Sequence, residues 1–149
     1  MIALKRLKFI SALFAALVVL TVSAFAAPAT ITPGQASGSG DLIVIQNPPT
    51  DKAATFDKSY IISGYGKQGA TVYIYKLSGG KYVKTGYSWT IGASGMFFKR
   101  IELGKGKNSL ICYAENGGSN QSVSLEITYL GTDLSNKIND IKIGLDSLK

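Results

Sequence analysis

The chain has 149 residues, 46% hydrophobic and 17% charged, with a formal net charge of +7; that length holds one domain of ordinary size. It contains no histidine, which excludes Ser-His-Asp and Cys-His nucleophiles, an imidazole general base and imidazole metal ligands. Its one cysteine, Cys112, cannot close a disulfide within the chain, so the domain must be held by packing.

Lys5, Arg6 and Lys8 open the sequence, the apolar run Phe9–Val22 follows, and Ala24-Phe25-Ala26 supplies a small-x-small site. A basic start, an apolar stretch and such a site define a secretory signal peptide over residues 1–27, cut after Ala26 or Ala27. The rival, a retained membrane anchor, needs roughly 20 apolar residues, and this run is shorter. Membrane contact therefore ends with cleavage, and the product is expected to be secreted, extracellular or associated with the cell envelope. About 122 residues remain, enough for one small core. Sixteen Lys and Arg less the three in the signal leave 13 against 9 acidic residues, a net +4. These charges are scattered. They suit loose attraction to an anionic wall polymer or polysaccharide and form no nucleic-acid stripe.

Residues 28–40, PATITPGQASGSG, are small, polar and rich in Gly, Pro and Ser, and are expected to be a flexible linker. The domain is expected over 41–131. LIVIQ (42–46) is the first strand, stopped by Asn47-Pro48-Pro49; SYIISGY (59–65) is the second; ATVYIYKL (70–77) is closed by Ser78-Gly79-Gly80. KYVKTGYSWTI (81–91) is one bent strand or two, with Gly86 at the bend. GMFFKRIEL (95–103), NSLICYAE (108–115) and SVSLEITYL (122–130) complete the set, separated by glycine-rich turns. Seven or eight short strands with regular turn signals and no helical periodicity point to an all-β sandwich. Alternation places Val123, Leu125, Ile127 and Tyr129 on one face, and likewise Leu110, Cys112 and Ala114, and Phe97, Ile101 and Leu103. Val72 and Ile74 oppose Tyr73 and Tyr75, and one wet face per sheet is expected. At 132–149 the pattern changes: Leu134, Ile138, Ile141, Leu145 and Leu148 recur at spacings of four and three. This is an amphipathic helix, capped at Thr132 or Asp133, that packs on the domain, self-associates or meets a partner.

Gly64, Gly66 and Gly69 spell G-x-G-x-x-G, the spacing of a dinucleotide loop. Such a loop needs a helix after it, whose N-terminus holds the pyrophosphate, and an acidic residue about 20 positions on. Here a period-two, β-branched and aromatic run follows, and no acidic residue lies between Asp57 and Glu102. The glycines are expected to turn the chain between two strands. Ser94 in GASG misses the nucleophile-elbow spacing, and Lys105 and Lys107 in GKGKNS miss the P-loop spacing. No calcium-loop run and no pair of carboxylates is nominated, so no enzyme activity and no cofactor are expected. Cys112 is expected to be buried and inert. The aromatic residues Tyr65, Tyr73, Tyr75, Trp89 and Phe98 are the candidate ligand or partner surface, since rings with polar tips stack on sugars and dock to protein. Their alternative is ordinary strand packing, which tyrosine favours.

The string YIISGYGKQGATVYIY resembles the opening of bacterial Ig-like domains: an I-S-G strand end, a glycine turn, then G-A-x-V-x-I-Y. IGASGMFFKRIEL, GKGKNSLICYAEN and SVSLEITYL are similar to later strands of that family, in the same order over about residues 42–130. The resemblance implies an Ig-like antiparallel β-sandwich of about seven strands. It implies a spacer, adhesive or ligand-binding module of bacterial surfaces, without a catalytic set. The expected function is thus a secreted, non-catalytic module making adhesive or structural contacts with a wall polymer, polysaccharide or extracellular protein. The alternatives are a carbohydrate-binding module using the exposed aromatics, and an assembly subunit that oligomerises through the C-terminal helix.

Overall fold

A computed structural model describes residues 26–33, 41–133 and Lys137, and in it nine strands form two sheets. In chain order they are β1 (Thr30–Ile31), β2 (Ile43–Asn47), β3 (Lys52–Thr55), β4 (Ser59–Gly66), β5 (Thr71–Ser78), β6 (Lys81–Thr90), β7 (Met96–Glu102), β8 (Gly106–Asn116) and β9 (Ser119–Tyr129). One sheet has the order β1-β6-β5-β8-β9-β3, the other β2-β4-β7. Each of β2, β4 and β7 is both preceded and followed in the chain by a strand of the larger sheet, so neighbours in sequence are shared across the two layers.

The main core lies between the sheets. Val72, Ile74, Leu110, Cys112, Ala114, Leu125 and Ile127 of the larger sheet meet Ile43, Ile62, Phe97 and Ile101 of the smaller. These are the residues that strand alternation sends inward. Two side-chain clamps fasten the layers. Gln121 on β9 accepts from the backbone N–H groups of Leu42 (2.6 Å) and Ile43 (2.8 Å) and donates to the Ile43 carbonyl (3.0 Å), tying the large sheet to β2. Asn108, buried in β8, accepts from Gly104 N–H and donates to the carbonyls of Gly104, Gly106 and Ile127, which holds the β7–β8 connection against the core.

Segment 81–90 is one strand with a bulge. Its register against β5 jumps between Tyr73–Ser88 and Tyr75–Lys84. The Thr85 hydroxyl donates to the Ile74 carbonyl at 2.6 Å, satisfying a backbone acceptor there. The glycine triplet divides in an unexpected way. Only Gly69 has a left-handed backbone, with φ +83°. Gly64 and Gly66 lie inside β4, where a Cβ would run into the backbone of Val44 and Leu42. They let β2 approach closely, and do not form the turn.

Three expectations change, and one lies outside the described residues. The linker 28–40 is not free chain throughout: Thr30 and Ile31 pair with Val83 and Tyr82 on the β6 edge, and Ile31 is buried. A further strand, β3, comes from Lys52-Ala53-Ala54-Thr55, and its pairing with β9 is parallel, so the large sheet is mixed and not wholly antiparallel. The outer face of the large sheet is not simply wet. It carries a second small core of Ile31, Tyr75 and Ile111, with Tyr73, Tyr82 and Tyr113 packed around it. Finally, the helix expected over 132–149, with Leu134, Ile138, Ile141, Leu145 and Leu148, lies outside the described residues apart from Thr132, Asp133 and Lys137. The signal segment lies outside them up to residue 25.

Candidate functional site

The outer face of the β2-β4-β7 sheet is where large apolar side chains stand in water. Outward positions of β4 are Ser59, Ile61, Ser63 and Tyr65; those of β7 are Met96, Phe98, Arg100 and Glu102; β2 contributes Val44. Register sets them in rows. Val44 lies opposite Tyr65, and Tyr65 opposite Met96, so three apolar side chains cross the whole sheet side by side. The next row pairs Phe98 with Ser63, and the row beyond pairs Arg100 with Ile61. Phe98 is 79% exposed and Met96 69%, with Tyr65, Val44 and Ile61 also exposed. Single exposed hydrophobic residues are ordinary, but a contiguous group on one flat face marks a contact surface. Its polar rim is formed by Arg100, which donates to the Ser59 hydroxyl at 3.1 Å, and by Glu102.

β7 is an edge strand. By alternation Lys99 falls on the core side, opposite Ile62, and is half-buried. A charge set inward on an edge discourages edge-to-edge pairing with another chain.

The five aromatic candidates divide among three places. Tyr65 and Phe98 lie on this face. Tyr73 lies on the opposite side of the molecule, half-buried; its hydroxyl donates to Glu115 Oε1 at 3.0 Å, and the Lys84 ammonium sits 3.7 Å from its ring centre. Burial and the bond to Glu115 push its phenol above the ordinary value. Tyr75 is fully buried beneath residues 28–31 and donates to the Pro28 carbonyl; burial likewise pushes its phenol up. Trp89 packs against Phe97 with ring centres 5.5 Å apart, and its buried indole N–H has no acceptor among the described residues. Tyr73, Tyr75 and Trp89 thus do not join a common surface with Tyr65 and Phe98. The surface residues missed from the sequence are Val44, Ile61 and Met96. The available signal was the doubled apolar phase of IVI, YII and MFF, in which both faces of each strand are hydrophobic.

Among the described residues, two of the concave regions are the larger ones. A polar cleft of about 250 Å³ is lined by Ala26, Thr71, Tyr113, Glu115, Asn116 and Asn120, among others. An apolar groove of about 320 Å³ runs between β2 and β9, past Ile43, Ile45, Pro48 and Val123. Among the described residues no three acidic or cysteine side chains gather to hold a metal ion. Cys112 is fully buried and its thiol is pushed up to about 12 by that burial, which keeps it protonated and unreactive.

No family model matches the chain, and no curated protein matches it.

Proposed function

We propose that this chain is a secreted, non-catalytic Ig-like module that binds an extracellular or cell-envelope protein through the outer face of its three-stranded sheet. The contiguous row Val44–Tyr65–Met96 with Phe98 beside it carries the reading. The strand order supports the Ig-like part. A first strand is split so that β2 joins one sheet and β3 the other, β4 and β7 share the smaller sheet, and β5, β6, β8 and β9 share the larger, as in Ig-type Greek-key sandwiches. The basic, apolar and small-x-small pattern of residues 5–26 supports secretion.

The composition of the face favours protein over sugar. Carbohydrate stacking calls for flat aromatic platforms, and of the five aromatic candidates only Tyr65 and Phe98 stand here, among aliphatic and thioether side chains. Methionine, tyrosine and phenylalanine with an arginine rim match the make-up of protein interfaces. The test compares binding of wild type and the double variant Met96→Lys/Phe98→Asp to isolated envelope fractions of the producing cells. Tyr73→Ala on the opposite sheet serves as control. The bound fraction is expected to fall at least about tenfold for the double variant, with its melting temperature unchanged. Equal binding by the double variant overturns the reading.

A further inference from the structure

At the N-terminal end of the described residues, buried Ala27 and Ile31 are set among exposed Ala26, Pro28, Ala29 and Thr30. Ala26 is exposed, whereas Ala27 is buried at 9%. From there each residue is engaged. The Pro28 carbonyl accepts from the Tyr75 hydroxyl, and the Ala29 carbonyl accepts from Lys84 N–H at 3.0 Å. Thr30 and Ile31 then pair with β6, and Ile31 fills the small outer core beside Tyr75 and Ile111. Residues 27–31 are a strap that belongs to the folded domain.

Just ahead of the strap, Ala26 lines the polar cleft whose wall includes Glu115. The Ala27 nitrogen is bonded directly to the Ala26 carbonyl carbon, so a cut at that bond frees an amine at the mouth of this cleft. Among the described residues Glu115 is the one charged side chain in the lining, beside the Tyr113 phenol, with Thr71, Asn116 and Asn120 neutral. Outside the lining, Tyr73 donates to Glu115, and Lys84 lies over the Tyr73 ring.

We propose that the precursor is cut between Ala26 and Ala27, and that the α-ammonium group so formed is received by the Glu115 carboxylate. The proposal rests on the secretion reading above. The step is amide hydrolysis by a signal peptidase. Water adds hydroxyl to the Ala26 carbonyl carbon, the C–N bond breaks, and the Ala27 nitrogen leaves as an amine that takes up a proton. The competing cut, after Ala27, would remove a buried residue and break an Ala–Pro bond. It would also place Phe25 where Ala24 satisfies the small-x-small requirement. Fold and cleavage preference thus choose the same bond.

Two measurements test this. Intact mass and N-terminal sequencing of the protein recovered from culture medium should show a chain beginning at Ala27. A secreted chain beginning at Pro28 or later overturns the cleavage site while leaving secretion intact. A protein found only inside the cell with residues 1–26 attached overturns both. The α-amine is then titrated by NMR in the mature protein and in Glu115→Gln. An ordinary α-amine titrates at about 7.7–8.0. The neighbouring carboxylate favours the charged form, so the wild-type value is expected at least about half a unit above that of Glu115→Gln. Equal values in the two proteins, with both folded by near-UV circular dichroism, overturn the pairing.

Discussion

Asn108→Ala should cost more stability than any surface change, and its size follows from the bonds that it removes. The side chain is 2% exposed. Its oxygen accepts from Gly104 N–H at 2.8 Å, and its amide nitrogen donates to the carbonyls of Gly104 (2.8 Å), Gly106 (2.9 Å) and Ile127 (3.2 Å). Two N–H protons serve three acceptors, so about three full bonds are lost, each worth roughly 0.5–1.5 kcal/mol net. Partners left in the buried region add desolvation cost, giving about 3–4 kcal/mol in all. For a domain near 100 residues each kcal/mol moves the melting temperature by about 4–8 °C, so a fall of about 12–30 °C is expected. Urea and thermal melts followed by Trp89 fluorescence measure it. Asn108→Asp sharpens the test. An ionised carboxylate would keep the bond from Gly104 N–H but face three carbonyl oxygens, so this variant should be the less stable of the two at neutral pH. Its folded-state carboxyl is held above the ordinary value, so its penalty is full above the folded pKa and fades as pH falls and the carboxyl gains a donor proton. A loss under about 1 kcal/mol for Asn108→Ala would refute the view that this residue anchors the β7–β8 connection.

Alkaline pH should destabilise the native state. Burial raises the Cys112 thiol and the phenols of Tyr60, Tyr73, Tyr75 and Tyr113 above their ordinary values. The unfolded chain therefore loses these protons first, and stability is full below the unfolded values of 9.0 and 10.0 and falls as pH rises past them; a flat urea midpoint up to pH 11 would contradict this. Cys112 should resist alkylation by iodoacetamide in the native protein and react once urea unfolds it, and labelling at the same rate in both states would show that the thiol is accessible. Ile31→Ala should lower stability by about 1–3 kcal/mol, less than a change in the central core, because the strap can fray before the sandwich opens. Proteolysis near residue 31 should rise in parallel. Gly66→Ala should cost at least about 3 kcal/mol, since its Cβ would stand 2.7 Å from Ile91 Cδ1 and 2.9 Å from Ile43 Cγ2, beside the Leu42 carbonyl; a neutral melt would mean that β2 yields easily.

The strands that could be read from the sequence are those whose own alternation declares a buried face. SVSLEITYL and NSLICYAE are clear cases, and Leu125, Ile127, Leu110 and Cys112 are indeed in the core. The strands that could not be read have no such pattern. Lys52-Ala53-Ala54-Thr55 has weak strand propensity and becomes β3 because β9 offers it a free edge. Thr30–Ile31 lies in a stretch that reads as linker, and two residues show no period at all. The site divides in the same way. All five aromatics were candidates on the same grounds, and of them Tyr65 and Phe98 are exposed, while Tyr75 shares Tyr73's strand phase and the same polar-tipped ring. Nothing local marks that Tyr75 is roofed by residues forty-odd positions earlier.

Residue chemistry along the chain was enough to determine an all-β class, most strand positions, the inward sides of β5, β8 and β9, and the lack of histidine chemistry. These depend on period and composition, which are local properties. Only the tertiary structure decided which outward faces stay wet. The face of β2-β4-β7 remains open because no described segment lies over it, so Met96 and Phe98 stay exposed. The opposite face is closed because the strap reaches across it and buries Ile31 and Tyr75. Exposure depends on what arrives from elsewhere in the chain, and strand periodicity carries no record of that arrival.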